Sequence, residues 1–260
     1  MTDAALELFA HEYARHRAGE GRGYKGQALL DLPFVRSGPH ASQWKVRART
    51  FEAFMTRVLR PRAARSRTPL TVLDLGAGNG WLSHRIALEG HRAIALDIRN
   101  DTVDGLGAAG PFLQRSRDIR TVIGSFDAIP LDAESVDLAV FNASLHYATD
   151  LRAVLRESER VTRPGGQIVI MDSPFYRRES DGLAMVDEKR ETFGERATAL
   201  MPLPFIEFLT RDRLHDAAPE LSWECHRVRY PLAYALRPMV AAVTRKRRPS
   251  RFDLWVASRP

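Results

Sequence analysis

Thr71-Val-Leu-Asp-Leu-Gly-Ala-Gly-Asn-Gly-Trp-Leu-Ser83 decides how this chain is read. Leu70 to Leu75 is a short apolar run rich in strand formers. Gly76, Gly78 and Gly80 follow, and from Trp81 the apolar residues return at helical spacing. The pattern predicts a buried strand, a tight turn and a helix. Glycines in such a turn let the backbone reverse sharply and let a ligand approach the main chain. In an open parallel sheet this crevice, beyond the carboxyl ends of the strands, is where ligands bind.

Ala93-Ile-Ala-Leu-Asp97 repeats the theme as a second apolar strand ending in a carboxylate. An acid there, about twenty residues past the glycines, is spaced to accept hydrogen bonds from both hydroxyls of a ribose. That spacing also fits a dinucleotide-binding domain. The glycines fit one less well, because the third comes too early for Gly-x-Gly-x-x-Gly. Asp74, just ahead of them, would repel a pyrophosphate and suits a ligand carrying positive charge.

Val72-Leu-Asp-Leu-Gly-Ala-Gly-Asn-Gly80 resembles motif I of the class I S-adenosylmethionine (SAM) dependent methyltransferases. The resemblance spans roughly residues 70 to 173 and is nearest to the ubiquinone- and menaquinone-biosynthesis type of small-molecule enzyme. It implies SAM as cofactor and S-adenosylhomocysteine as product. Carried over residue by residue, it puts Gly76, Ala77 and Gly78 against the amino-acid part of the cofactor. Asp74 would favour its positive charges, and Asp97 with its neighbour Ile98 would hold the ribose end. Gly124-Ser-Phe-Asp127 resembles the adenine-recognising motif. The family's usual acid directly after the glycine is replaced by Ser125, so Ser125, Phe126 and Asp127 are all candidates. Asp137-Leu-Ala-Val-Phe-Asn142 resembles motif IV, which brings Asn142 beside the reactive methyl. The sequence after it, Ala-Ser-Leu, differs from the Pro-Pro-aromatic signature of enzymes that methylate exocyclic amines. His146 is the candidate base, since a histidine near neutral pKa is able to take an acceptor's proton.

Outside this stretch the chain alternates apolar strands, at 119–123, 135–141 and 167–171, with helical spacings. That predicts an α/β, doubly wound, mostly parallel sheet, and the resemblance implies that it is of the Rossmann-like methyltransferase type. Further strands are expected at 223–230 and 252–258, making seven in all. The resemblance implies that the last is antiparallel and inserted between its predecessors. The helix at 149–162 is expected to end at Arg163-Pro-Gly-Gly166. Residues 1–62 read as an N-terminal helical cap, with helices over 1–20 and over 41–59, the second ending before Pro61. Residues 68–260 form the main domain. Within it, 172–219 is too long for a simple connection and reads as a substrate-covering insertion with helices at 179–195 and 210–217. A helix is expected over 231–244. Tyr24, Trp44, Tyr147 and Tyr176 are candidates to line the acceptor pocket, with Tyr13 and Arg47 beside them.

The net charge is +7 with 39 Lys and Arg, and only Arg245-Lys-Arg-Arg-Pro-Ser-Arg251 is dense in it. That run reads as an exposed loop, with RNA phosphate or anionic lipid as the functional alternative. One cysteine, Cys225, excludes a disulfide framework within the chain and reads as core filler. No cluster of acids or histidines points to a metal. The N-terminus has no signal-peptide character, and no apolar run approaches a membrane span, so a cytoplasmic protein is expected. The function expected is methyl transfer to oxygen, nitrogen or carbon of a small molecule. An RNA methyltransferase is the alternative, and a SAM-binding subunit without activity is the third reading.

Overall fold

The structure is a computed structural model and describes residues 3–194, 203–244 and 246–260. The start of the 1–20 helix, the last residue of the 179–195 helix and Arg245 fall outside the described residues. Seven strands form one sheet: β1 Thr71–Leu75, β2 Arg92–Asp97, β3 Ile119–Ile123, β4 Val136–Asn142, β5 Thr162–Met171, β6 Ser222–His226 and β7 Leu254–Ser258. Their order is β3-β2-β1-β4-β5-β7-β6. β1 to β5 pair in parallel, and β7 runs antiparallel between β5 and β6. The chain winds one way from β1 to β3 and the other way from β4 onward. A crevice therefore opens above β1 and β4, where the winding reverses.

Side chains alternate along each strand, and this splits the core into two layers. Val72, Val140, Val169 and Met171 pack with Trp44, Phe51 and Phe54 of the helix Ala41–Phe54 and with Met55 just after it. Leu73, Phe141, Ile168 and Ile170 pack with Val154, Leu155, Leu214 and Trp255 on the other side. Trp44, Phe51 and Phe54 form a helical stripe, and by spacing Arg47 falls on the same stripe. A charge on a core-facing stripe needs a polar partner nearby, and the partners of Arg47 sit in the site described below.

Four expected boundaries move. The second helix does not stop before Pro61. It widens into a π-turn over Met55–Leu59 and continues through Arg60–Ala63, where Pro61 sits in a first turn and its missing N–H is tolerated. The helix before Arg163-Pro-Gly-Gly166 ends at Val161 as expected, but that stretch already belongs to β5, with Gly165 at φ 70° and the pairing register shifted there. Its main chain is held by Arg259 beyond β7, a partner far away in sequence. β6 ends at His226, and the expected 231–244 helix breaks at Leu236 ahead of Pro238. Cys225 is exposed on the edge strand, so it is not core filler.

The helix Glu179–Phe193 lies against the segment after residue 203 through a close approach at Gly182. A Cβ built there would meet the Phe208 ring at 2.2 Å. Phe208 is buried, edge-on to Tyr176 and under the Arg213 guanidinium, so the ring has little room to yield. Gly182→Ala is expected to destabilise the protein by about 1–3 kcal/mol despite its helix-propensity gain of about 1 kcal/mol. A thermal melt of the two proteins checks it.

Candidate active site

A cavity of about 530 Å³ opens at the carboxyl ends of β1, β2, β4 and β5. Its floor is the glycine turn after β1. Gly76 has φ 72°, and a Cβ on it would lie 2.4 Å from Ser144 Cβ. Only glycine fits both the backbone conformation and the space. The turn is tied down by Gly76 and Ala77 N–H donating to Leu96 O at 2.8 and 3.0 Å. Ser144 Oγ donates to Leu75 O at 2.5 Å.

Asp97 reaches this floor from the tip of β2. Its Oδ2 accepts from Gly78 N at 2.7 Å and its Oδ1 from Arg99 N at 2.8 Å. Burial pushes its pKa above the ordinary value, and those two main-chain donors oppose the shift. One lone-pair direction on each oxygen remains for a ligand that enters the cavity. Gly76, Ala77, Gly78, Ile98, Ser125, Phe126, Asp127 and Asn142 line the same cavity, as do Trp44, His146 and Tyr147.

Three sequence candidates are not brought there. Asp74 shares the face of Val72 and lies beneath the turn, fully buried, where Ser83 Oγ donates to its Oδ2 at 2.9 Å. Its Oδ1 has no partner, and burial drives its pKa up to about 7. Tyr24 stands behind the wall: its hydroxyl accepts from Trp44 Nε1 at 2.6 Å, so it positions the tryptophan. Tyr176 is buried against Phe208, and its hydroxyl accepts from Arg247 Nη1 at 3.1 Å. In both cases the aromatic side chain found a tertiary partner that sequence spacing does not reveal.

The pKa of Asp74 has a consequence for stability. Its ordinary value is 3.8, so the folded state binds the proton more tightly than the unfolded state. Stability contributed by this group is therefore lost as pH rises from 3.8 toward about 7. Asp74→Asn is expected to raise the melting temperature of the ligand-free protein at pH 8. The gap should narrow steadily as pH falls through that window. A melting series in pH checks it.

His146 is half-buried in the cavity wall, and burial, with Lys189 and Arg47 adding positive charge, pulls its pKa down to about 3. Its imidazole is neutral near pH 7. The Tyr147 ring packs on it, tilted by 40° with centroids 4.3 Å apart, and shares a 3.0 Å hydroxyl contact with Tyr13. Burial, then Tyr13, holds the Tyr147 hydroxyl well above its ordinary pKa.

Asp172 and Arg47 complete the reactive end. Arg47 Nη2 donates to Asn142 Oδ1 at 3.1 Å, and its Nε approaches Asp172 Oδ2 at 3.4 Å. Its guanidinium lies over Trp44 at 4.7 Å and Trp81 at 5.4 Å. Asp172 is buried and lines the cavity. Burial raises its pKa, with Arg47 opposing. Sequence reading missed Asp172, although the signal was the one that exposed Asp97: an acid directly after an apolar strand. It also missed Asp104, which accepts from Arg17 Nε at 2.6 Å and Asn79 Nδ2 at 3.0 Å. That pair fastens the helix Asp3–Gly19 over the cavity.

A protein-family model described as a methyltransferase domain matches residues 73–170. Malonyl-[acyl-carrier protein] O-methyltransferase of Yersinia pestis is 30% identical over 172 residues, which are 65% of this chain and 58% of that protein. An uncharacterized methyltransferase of Mycobacterium tuberculosis is 33% identical over 152 residues, 56% of each. The chain thus spans a little over half the length of the curated relatives it matches. Among solved structures, geranyl diphosphate C-methyltransferase of Streptomyces coelicolor A3(2) aligns with a TM-score of 0.63 at 15% identity. The alignment covers 97% of this chain and 98% of that one. A methyltransferase solved with the Haloferax volcanii Trm112 activator aligns with a TM-score of 0.57 at 20% identity, covering 98% and 96%. These two alignments speak to fold. The matched domain spans the glycine turn, the tip of β2 and β4, and with these relatives it supports a class I SAM-dependent methyltransferase.

Proposed function

We propose that this protein transfers a methyl group from SAM to a small-molecule acceptor and releases S-adenosylhomocysteine. The observation that carries the reading is Asp97, a buried carboxylate fixed by two main-chain donors and lining the cavity beside the glycine turn. A ribose diol is the ligand group that suits it. SAM supplies an electrophilic methyl carbon on a sulfonium. The residues fit that cofactor, because a Cβ at Gly76 would close the floor and Asp97 beside it keeps a lone-pair direction on each carboxylate oxygen.

The chain's own contribution is alignment and exclusion of water. Holding two reactants in a near-attack arrangement supplies much of the rate enhancement of a bimolecular step. Phe9, Tyr13, Tyr147 and Phe205 pack ring against ring over the cavity. These aromatics support an acceptor of small size, since a cavity of about 530 Å³ has to hold cofactor and acceptor together. In this reading residues 1–62 act as the cap and 172–219 as the substrate-covering segment. Where the acceptor is a hydroxyl or an acidic carbon, Asp172 accepts the proton. His146 orients the acceptor as a neutral hydrogen-bonding group.

Calorimetric titration with SAM and S-adenosylhomocysteine tests the cofactor assignment. Mass spectrometry of candidate small molecules and of bulk RNA, read for the gain of one methyl group, tests the acceptor class. Saturable binding and methylation of a small molecule are expected. Failure of the folded protein to bind either ligand would overturn the reading.

A further inference from the structure

The segment Leu232–Val243 exposes apolar side chains in an order that a core-facing helix normally hides. Leu232, Leu236, Met239, Val240 and Val243 recur at helical spacing, and all are exposed, Val243 at 84% and Leu232 at 73%. Across the two short helices that carry them, Ala241 is the buried residue. An apolar patch of this kind marks a contact surface.

Charge says what it contacts. Between Glu224 and Asp253 the sequence holds no acid, while basic residues run from Arg227 to Arg251. The basic run begins two residues past Val243. It is anchored at its root: Arg247 pairs with Glu188 at 2.7 Å and Arg248 N donates to Asp181 Oδ1 at 3.0 Å. Among the described residues, the side chains of Lys246 and Arg248 are exposed and have no ion-pair partner. An apolar helical stripe flanked by unpaired cations matches a bilayer interface, where the apolar side enters the acyl boundary and the cations meet anionic headgroups. A second copy of the chain suits the patch less, because its own basic run would face this one in a protein of net charge +7.

We propose that Leu232–Val243, with Lys246 and Arg248, docks the protein on an anionic lipid surface. Tyr234 and Arg237 of the same segment also line the cavity, so docking sets one edge of the cavity at the bilayer. Resting on the methyl-transfer reading, this favours an acceptor that partitions into membranes. The surface itself stands independently of that reading. No helix among the described residues is long and apolar enough to cross a membrane, so the contact is with one face of the bilayer.

The test is co-sedimentation of the full chain with vesicles of phosphatidylcholine alone or of phosphatidylcholine with phosphatidylglycerol. Two double variants are compared, Met239→Glu with Val243→Glu, and Lys246→Glu with Arg248→Glu. Binding to the anionic vesicles is expected to exceed that to neutral ones by about tenfold or more, and to weaken with salt. Each double variant should lose about tenfold or more while keeping the parent's melting temperature and S-adenosylhomocysteine titration. Equal binding to both vesicles, no binding, or unchanged binding by both variants overturns the proposal. So does concentration-dependent self-association that Met239→Glu with Val243→Glu abolishes. An RNA mobility shift lost only in the charge variant, with no vesicle binding, also overturns it. Loss of vesicle binding with an intact titration sinks the surface alone, whereas a missing titration in the parent bears on the cofactor reading.

Discussion

Asp97→Ala should lose SAM binding by roughly a hundredfold or more, and S-adenosylhomocysteine binding by the same factor. The magnitude comes from two hydrogen bonds to an ionised acceptor, each contributing about 1.5–3 kcal/mol. The equality comes from position. Asp97 is at the tip of β2, joined to the glycine turn through Gly78 N and to its own loop through Arg99 N. A ribose held there is common to both ligands, so the loss is uniform binding and leaves their ratio unchanged. Asp97→Asn should lose less, because the amide keeps one acceptor oxygen, although it also aims a donor at one of the two main-chain N–H groups. Calorimetry of both ligands on three proteins reads all of this. A loss confined to SAM would put Asp97 near the sulfonium instead and overturn the ribose assignment.

Asp97 was legible because its signal is local: an apolar run, an acid at its end and glycines a fixed distance before it. The seven strands were legible for a similar reason, since periodicity follows the chain, whereas the inverted last strand was implied by the family resemblance alone. What escaped depends on partners distant in sequence. Asp74 and Asp97 look alike as acids near strand ends. Strand alternation turns Asp74 under the floor to Ser83, while Asp97 stands at the rim. Tyr24 and Tyr176 look like pocket aromatics until Trp44 and Phe208 claim them. The full extent of β5 needs the backbone of Arg259. The exposed stripe at Leu232–Val243 has helical periodicity, which reads as a core-facing helix until its neighbours are known.

The choice between Asp172 and His146 as proton acceptor divides two sharply different outcomes. A base is effective when its conjugate acid has a pKa near the working pH. Burial moves these two groups in opposite directions, because it disfavours the charged form of each. The imidazole goes down to about 3, and Lys189 and Arg47 push the same way. The carboxyl of Asp172 goes up, with Arg47 opposing. Burial thus makes the carboxylate the stronger base and leaves the histidine a poor one. Asp172 lines the cavity, and Arg47 approaches its Oδ2. For an acceptor that must lose a proton, Asp172→Asn should lower kcat by roughly a hundredfold or more. SAM binding should change little, since calorimetry reads the cofactor end. The wild-type rate should fall as pH drops through the raised pKa of Asp172, and that acidic limb should vanish in Asp172→Asn. His146→Gln keeps a neutral hydrogen-bonding side chain and should cost less than about tenfold, with the acidic limb in place. A limb that persists in Asp172→Asn and disappears in His146→Gln would return the proton to the imidazole.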